Sequence, residues 1–500
     1  MNGADFLQLR RDGAPAKGLT DWLVTALREA IGDGRLTDGA VLPPTRALAD
    51  DLAVSRGVVV EAYRRLAEEG LVTARTCHGT VVTGTLRPEA SRPGPPSPGM
   101  DRFVPPLPGA AGHRIEIDLS PSTPDLGTFP RSAWLRSERA VLHQVRPASL
   151  AYGDPRGSAE LRAQLARWLG RTRGVRAHPD DILVVGGVAQ ALSLLCHVLR
   201  ARGRTTMAVE DPGSRGARSG LGHVGFTPVP VPVDEHGLRV DALAGTGERT
   251  VLLTPAHQFP TGVVLAPARR AALLDWARQG GLVIEDDYDA EYRYDRAPVP
   301  ALQASAPEHV AYTGSVSKTI APGMRMGWLI APRELHDDLV LAKYANDLGS
   351  PVLPQLVLAD LIERGGLERH LRVTRARYRT RRDAFVQALH QAWPAVRVQG
   401  VAAGLHAVID FPGVPLDDVE LATRLAETGI LVQPLSWHRV RTGPPGLVVG
   451  YAANPPDRLR EAARRIVETV RAGAGVGGPA GPYRADRLAG LTAHRWQGPG

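Results

Sequence analysis

Five hundred residues are too many for one ordinary domain, and a hydrophobic share of 43% is enough to bury a large core, so two or more folded units are expected. The formal net charge of +8 and a pI near 9.8 admit an anionic partner such as nucleic acid, which bears on association and not on fold. Two distant cysteines, Cys77 and Cys196, exclude a disulfide framework and a cysteine-built zinc cluster, and residues 1–13 lack an apolar signal core, so a reducing cytoplasm is the expected location.

Leu19, Trp22, Leu23, Ala26, Leu27, Ala30 and Ile31 recur at helical spacing, and Gly32 to Gly34 stops the pattern. Pro43-Pro44 introduces a second helix, capped near Thr45, with Leu48 and Leu52 facing inward. After the turn Ala53-Val54, the Ser55 hydroxyl is placed to cap a third helix that runs to Glu69 and ends at Gly70. Leu71 to Thr73 and Thr80 to Val82 flank Cys77-His78-Gly79 and predict a small β-hairpin. Three helices and a hairpin make a winged helix-turn-helix over residues 18–84. From Thr85 to His113 the chain carries Pro88, Pro93, Pro95, Pro96, Pro98, Pro105, Pro106 and Pro108, the composition of an extended linker. The body, residues 114–472, alternates helical stretches with short apolar strands at Ile182 to Val185, Thr206 to Val209, Val251 to Leu253, Leu282 to Ile284 and Val310 to Tyr312. That rhythm predicts an α/β domain with a mainly parallel sheet, whose ligand sits at the carboxyl ends of the strands. The longest apolar stretch, Ile182 to Leu199, is broken by glycines, Gln190 and His197 and is no membrane span. Residues 473–500 turn to Gly, Ala and Pro with scattered charge and are expected to be mobile.

Four segments of the body carry chemistry. Val185-Gly186-Gly187-Val188-Ala189-Gln190 puts a glycine turn between strand and helix, where Val188, Ala189 and Gln190 at the helix start can grip a phosphate. Thr254-Pro255-Ala256-His257-Gln258-Phe259-Pro260-Thr261-Gly262 is a strand exit from which His257 could donate to a ring oxygen; it also reads as a plain proline-rich turn. Gly281 to Glu291 is an apolar strand that delivers carboxylates: Asp286 is placed to keep a pyridine nitrogen protonated and Tyr288 to bond a ring oxygen. An acidic loop, or a hard-metal site from Glu285, Asp287, Asp289 and Glu291, is the alternative, although alternate strand residues face opposite ways. In Gly314-Ser315-Val316-Ser317-Lys318, a lysine flanked by the Ser315 and Ser317 hydroxyls precedes Arg325 by seven residues. Such a lysine can form a Schiff base to an aldehyde cofactor whose phosphate Arg325 neutralises, which points to pyridoxal 5'-phosphate (PLP); the plainer reading is a surface lysine beside a turn. The other lysines are Lys17 and Lys343, and arginine cannot form an imine, so a lysine retained in an arginine-rich chain carries weight.

Gly39 to Gly70 resembles the GntR-type winged helix, over roughly residues 18 to 84. The resemblance implies phosphate or guanine contacts for Arg46 and Arg56, a contact from the start of the recognition helix for Ser55, and a wing tip at His78-Gly79 that enters a minor groove of double-stranded operator DNA. Gly57 and Val58 stand where polar threonines are common, so direct base readout is expected to be thin. Arg64 and Arg65 read equally as solvated helix surface, and a winged helix used only for protein contacts is the rival reading. The body segments, in this order and with Tyr152 to Gly157, Val209 to Gly213, Gln355 to Leu361 and His370 to Arg375, resemble the fold type I aminotransferase body and specifically the MocR subfamily of GntR regulators, over about residues 18 to 470. That resemblance implies an internal aldimine on Lys318, phosphate binding by Ser315 and Arg325, and a Tyr152 that reaches the phosphate of a neighbouring subunit, hence a homodimer. Two positions depart from the pattern: Ser214 replaces an aromatic residue near the cofactor, and Gly446 takes the approximate place of the arginine that clamps a substrate carboxylate, for which Arg439 or Arg441 could substitute. The expected function is a PLP-dependent transcriptional regulator that senses PLP or an amino compound forming an aldimine with it, with genes of PLP synthesis or amino-compound metabolism as targets. A working aminotransferase with a DNA-binding appendage, and a body kept only for dimerisation, are the rivals.

Overall fold

The computed structural model describes residue 15 and residues 18–75, 79–83, 113–294 and 299–474, which fall into an amino-terminal and a carboxyl-terminal compact unit. His78, the predicted linker 85–113 except His113, and the predicted tail 473–500 except Gly473 and Ala474 lie outside the described residues.

The amino-terminal unit contains α1 (Leu19–Gly32), α2 (Thr45–Asp51), α3 (Arg56–Glu68) and an antiparallel hairpin of β1 (Val72–Arg75) and β2 (Gly79–Val82). The apolar stripe of α1 at Leu23, Leu27, Ala30 and Ile31 meets Leu48, Leu52, Val59, Ala62 and Leu66 in one core. The Tyr63 hydroxyl donates to the Pro43 carbonyl at 2.8 Å and ties α3 to the entry of α2. Ala53 holds a φ of 48° in the turn between α2 and α3, a left-handed conformation that costs a non-glycine residue about 1 kcal/mol. Both predicted caps differ. Pro44 brings the chain into α2 in an extended conformation, so Thr45 is already helical, and its Oγ1 accepts from Arg56 Nε at 3.4 Å. Ser55 stands at the N-cap of α3 with extended backbone, yet its hydroxyl makes no cap bond and is exposed.

In the carboxyl-terminal unit, β3 (Ile117–Asp118), α4 (Arg131–Gln144) and α5 (Ala159–Arg173) precede β4 (Ile182–Val185), α6 (Val188–Ala201), β5 (Thr206–Asp211), α7 (Arg215–His223), β6 (Thr227–Asp234), β7 (Gly237–Leu238), α8 (Val240–Gly245), β8 (Thr250–Leu253), α9 (Pro267–Arg278), β9 (Leu282–Asp287), β10 (Val310–Ser315) and β11 (Gly327–Ile330). The eight-stranded sheet runs β4-β11-β10-β9-β8-β5-β6-β7, parallel from β10 through β6, with β11 antiparallel to both neighbours. Helices cover both faces, so successive residues enter different cores: Ile182 and Val184 pack with Trp168 and Trp328, Leu183 and Val185 with Leu195 and Leu329. α10 (Arg333–Asp347), α11 (Val352–Glu363) and the 27-residue α12 (Gly366–Ala392) follow. Leu367, Leu371 and Tyr378 of α12 join the large-sheet core, whereas Phe385, Ala388 and Leu389 join a second core. That second core underlies the antiparallel sheet β12-β13-β16-β15, made of β12 (Arg397–Gln399), β13 (His406–Asp410), β15 (Gln433–Pro434) and β16 (Leu447–Gly450), with α13 (Asp418–Glu427), β14 (Ile430–Leu431, paired with β3) and α14 (Pro456–Ala474). Among the described residues no helix is long and apolar enough to cross a membrane.

Candidate functional site

The strand ends of the large sheet collect the chemistry. Ser315 on β10 and Val185 on β4 both pair with Gly327 on β11, so the loop that carries Lys318 and the glycine turn before α6 leave the sheet at one level. Gly327 has to lack a side chain: a Cβ there would lie 2.6 Å from the Gly314 carbonyl oxygen and 3.0 Å from Gly187 Cα.

Lys318 is part-buried and makes no hydrogen bond among the described residues. Burial holds its amine below the usual lysine range, against the opposing pull of Asp289 and Asp286. Lys343, by contrast, is fully buried in a pair with Asp347 at 2.7 Å and a bond to Ser350 Oγ at 3.1 Å, and Lys17 lies outside the described residues.

The acidic run on β9 divides by strand alternation. Glu285 accepts from the amides of Leu302 and Gln303 at 3.0 and 3.1 Å. Asp287, on the same face, pairs with Arg173 at 2.6 Å, both side chains about 1% exposed, and accepts from the Tyr312 hydroxyl at 2.5 Å. Asp286 points the other way, and its Oδ1 is buried without a hydrogen-bond partner among the described residues. Burial first, then the Asp287 and Asp289 charges, push the Asp286 carboxyl up to about 7, while Lys318 pulls it down. Of the four carboxylates weighed as a metal set, Glu285 and Asp287 are thus engaged on one face of β9, while Asp289 and Glu291 lie beyond the end of the strand. Proximity suited to a metal instead joins Asp289 to His257 and His406, with candidate ligand atoms within 4.8 Å of one another. Hydrogen bonds already engage these three: His257 Nδ1 lies 3.1 Å from both Asp289 oxygens, and His406 Nε2 lies 3.1 Å from the Pro260 carbonyl.

His257 differs from expectation in its place. Its Nδ1 is 2.9 Å from the Tyr288 hydroxyl, so it stands behind the tyrosine, and Tyr288 is the group left facing Asp286. Glu210, whose carboxyl burial pushes up to about 7, accepts from Thr254 N and Oγ1 nearby at 3.0 and 2.8 Å. His406, Asp289 in its paired role, Glu210 and Arg173 are residues that sequence reasoning did not assign to the site; Asp289 and Glu210 lay inside segments already singled out, His406 and Arg173 did not.

At the glycine turn, Gly187 (φ 105°) is the N-cap of α6, and the amides of Val188 and Ala189 have no acceptor inside the helix. The Arg325 guanidinium lies over this turn, with Nη1 3.3 Å from where a Gly187 Cβ would sit, and it has no ion pair or hydrogen bond among the described residues. A cavity of about 370 Å³ opens here, lined by Gly186, Gln190, Arg325, Asp347 and Ser350 among others. Gln190 does not offer a free donor to it: its Oε1 accepts from Gly186 N at 2.7 Å and its amide donates to Asn346 and Asp347 at 2.8 Å, so its side chain props the turn. Ser315 is buried, with Oγ accepting from Ser317 N at 3.3 Å. Tyr152 is 90% exposed and lines an adjoining cavity of about 620 Å³ with Leu348 and Gly349, which shares Asp347, Ser350, Pro351 and Gln355 with the first.

The two departures take structural roles. Ser214 caps α7 through a bond from Ala217 N at 3.1 Å. Gly446 donates its amide to Asp418 at 3.1 Å, and a side chain there would meet the Ile409 carbonyl oxygen at 3.1 Å. Arg439 and Arg441 line a cavity of about 540 Å³ with Asp211, Asp234 and Thr261; Lys318, Asp286 and Tyr288 do not line it.

In the amino-terminal unit, Arg46, Ser55, Arg56 and Gly57 are all exposed at the starts of α2 and α3. Arg46 and Arg56 carry no ion pair among the described residues. Arg64 is bound to Glu61 and Glu68, and Arg65 to Glu61 and Asp21, so these two arginines are neutralised within the unit. Gly79 (φ 77°) turns the hairpin and is exposed.

Residues 114–466 match the family model for aminotransferase class I and II, and residues 19–82 that for bacterial regulatory proteins, gntR family. The chain is 34% identical over 464 residues to the HTH-type pyridoxine biosynthesis transcriptional regulator PdxR of Corynebacterium glutamicum, covering 90% of this chain and 96% of that one. It is 32% identical over 455 residues to the probable rhizopine catabolism regulatory protein MocR of Rhizobium meliloti, covering 88% and 91%. Among solved structures, kynurenine aminotransferase of Pyrococcus horikoshii, determined in complex with PMP, is similar at a TM-score of 0.66 and 26% identity over 72% of this chain and 92% of that one. With both halves matched and the likeness to two such regulators running along almost nine-tenths of its length, this chain belongs to the MocR subfamily of GntR-type transcriptional regulators, a winged helix-turn-helix joined to a fold type I aminotransferase body.

Proposed function

We propose that this chain is a cytoplasmic regulator that binds double-stranded operator DNA through Arg46, Ser55, Arg56 and the wing at His78-Gly79, binds PLP at Lys318, and grips DNA differently when PLP is bound. The observation that carries the reading is the unsatisfied chemistry at the strand ends: an unbonded lysine amine, a buried Asp286 oxygen with no partner, and an unpaired Arg325 over free helix amides. Each group lacks what PLP has, namely an aldehyde, a protonated ring nitrogen and a phosphate. Bound there, PLP supplies an electrophilic carbon and a ring that withdraws electrons.

The residues of the chain do the rest. Burial favours the neutral, nucleophilic form of the Lys318 amine. Asp286 holds a proton on the ring nitrogen, regaining against that cation the ionised form that burial disfavours. Arg325, the Val188 and Ala189 amides and the Ser315 and Ser317 hydroxyls bind phosphate, and Tyr288 donates to the ring oxygen. Tyr152, exposed on its own subunit, reaches the phosphate site of a second copy in a homodimer.

PLP itself is the favoured signal over an amino compound. Gly446 offers no guanidinium and Arg439 and Arg441 line another cavity, so a substrate carboxylate lacks its clamp and transaminase turnover lacks its orientation. A ligand shifts the dimer only by binding one arrangement better than another, with the linker at 85–113 limiting the change. Genes of PLP synthesis are the natural targets. The test is a PLP titration of the full chain beside a gel shift on its own upstream DNA. A visible band lost in Lys318→Ala, together with PLP-dependent DNA affinity, is expected. A band-less protein would reduce the body to a dimerisation unit, and sustained turnover with several amino donors would make it an aminotransferase.

A further inference from the structure

Behind Tyr288 lies a buried pair that PLP binding itself does not use. His257 is 1% and Asp289 0% exposed, and the His257 Nδ1 lies 3.1 Å from both Asp289 oxygens and 2.9 Å from the Tyr288 hydroxyl. The imidazole is clamped in place. A Cβ on Gly404 would come within 2.0 Å of its Cε1 and one on Gly262 within 3.0 Å of its Nε2, while the His406 ring packs on it at 5.0 Å between centroids. The partners also select the tautomer. A carboxylate only accepts, so Nδ1 carries the hydrogen, and Nε2 is a bare lone pair, in keeping with its having no hydrogen-bond partner among the described residues. The Nδ1–H is shared between Asp289 and the Tyr288 oxygen. Tyr288 therefore accepts from His257, which leaves its own O–H free to donate to another acceptor, and Asp286, itself a charged neighbour of Lys318, lies near this tyrosine.

Resting on the reading that PLP binds at Lys318, we propose that Asp289 and His257 are positioning residues: they aim the Tyr288 O–H at the cofactor's ring oxygen and strengthen it as a donor, which lowers the proton affinity of the PLP chromophore. A hydroxyl that accepts a hydrogen bond donates a stronger one, and a stronger donor to the ring oxygen favours the deprotonated form. The charged and titratable groups that face this unit are Asp286, Glu210 and Tyr451 around Tyr288, His406, itself beside His438 and Lys318, around His257, and Lys318, Asp286, Glu291, Tyr294 and Tyr451 around Asp289. They are common to all variants below.

The experiment is a pH titration of the visible band of the PLP-loaded full chain in the wild type, His257→Phe, Asp289→Asn, Tyr288→Phe and the double variant Tyr288→Phe/His257→Phe. Losing the shared hydrogen bond should raise the midpoint by about half to one pH unit in His257→Phe, a three- to tenfold gain in proton affinity. His257→Leu, available should His257→Phe not fold, removes the same Nδ1–H and should shift it in the same direction, whereas Asp289→Asn also removes a carboxylate that favours the protonated amine of Lys318 and should raise the midpoint less or lower it. The double variant should sit where Tyr288→Phe sits. A midpoint unmoved in both His257 variants, or a full additional shift in the double, overturns the relay. A wild type without any Lys318-dependent band overturns PLP binding itself and the relay with it, so the two failures are told apart.

Discussion

Asp286→Asn should stabilise the PLP-free protein and weaken PLP binding at once. The carboxyl rises from its ordinary 3.8 to about 7 in the fold, chiefly through burial. Its contribution to stability is therefore fully present below pH 3.8 and is lost as pH climbs through 7. At ~1.4 kcal/mol per pH unit the loss is bounded at ~4 kcal/mol, and relaxation with water penetration brings it to about 2 kcal/mol. An asparagine, uncharged at every pH, removes that loss. Unfolding free energies from urea titrations of the PLP-free wild type and Asp286→Asn should thus nearly coincide below pH 3.8, diverge from there to pH 7, and differ by about 2 kcal/mol at pH 8, the variant being the more stable. For PLP the sign reverses, since a charge-assisted bond to the ring nitrogen is worth ~1.5–3 kcal/mol and its loss should raise Kd about ten- to hundredfold. A variant that is less stable than wild type at pH 8, or one that keeps full PLP affinity, would refute the assignment of Asp286 to the ring nitrogen.

Arg56→Ala should weaken operator binding about tenfold or more by fluorescence anisotropy, leaving the PLP band unchanged, whereas Arg64→Ala should stay within about twofold because its charge is already bound by Glu61 and Glu68. Arg325→Gln should raise the Kd for PLP about ten- to hundredfold and leave that for pyridoxal, which lacks the phosphate, nearly unchanged in equilibrium dialysis. Arg173→Met should destabilise the body by ~3–5 kcal/mol in urea unfolding, since Asp287 loses its buried partner, and adding Asp287→Asn should recover much of that loss.

How far local pattern reaches is clearest at β6. The five predicted strands were apolar runs buried on both faces, and all five are strands in the sheet. β6 escaped because Pro228, Pro230 and Pro232 argue against a strand, yet it pairs with β5 over its first six residues. Alternate spacing puts all three missing N–H groups on one side of the strand, and a side bordered only by the two-residue β7 does not need them. β11 escaped for another reason: its run from Gly327 to Ile330 was visible, but nothing local says that it threads antiparallel between β4 and β10. The cap of Ser55 failed more simply. Its backbone has the extended geometry of an N-cap, but its side chain makes no cap bond.

The same limit decides the site. Glu285, Asp286, Asp287 and Asp289 form one acidic run, and strand alternation alone says that they must divide between two faces without saying which face does chemistry. The answer lies far away in the chain. Arg173, 114 residues before Asp287, arrives on α5 and converts that face into a structural ion pair. Among the described residues no cation of this kind reaches Asp286 except Lys318, whose amine is itself held below the ordinary lysine range, and so the charge left uncompensated is the one beside the reactive lysine. His406 is equally remote, arriving from β13 to pack against His257. Motifs in the sequence mark where reactive groups emerge from strands. Which of those groups stays unsatisfied is set by partners that only tertiary packing brings in, and unsatisfied buried charge is what gives a pocket its appetite for a cofactor.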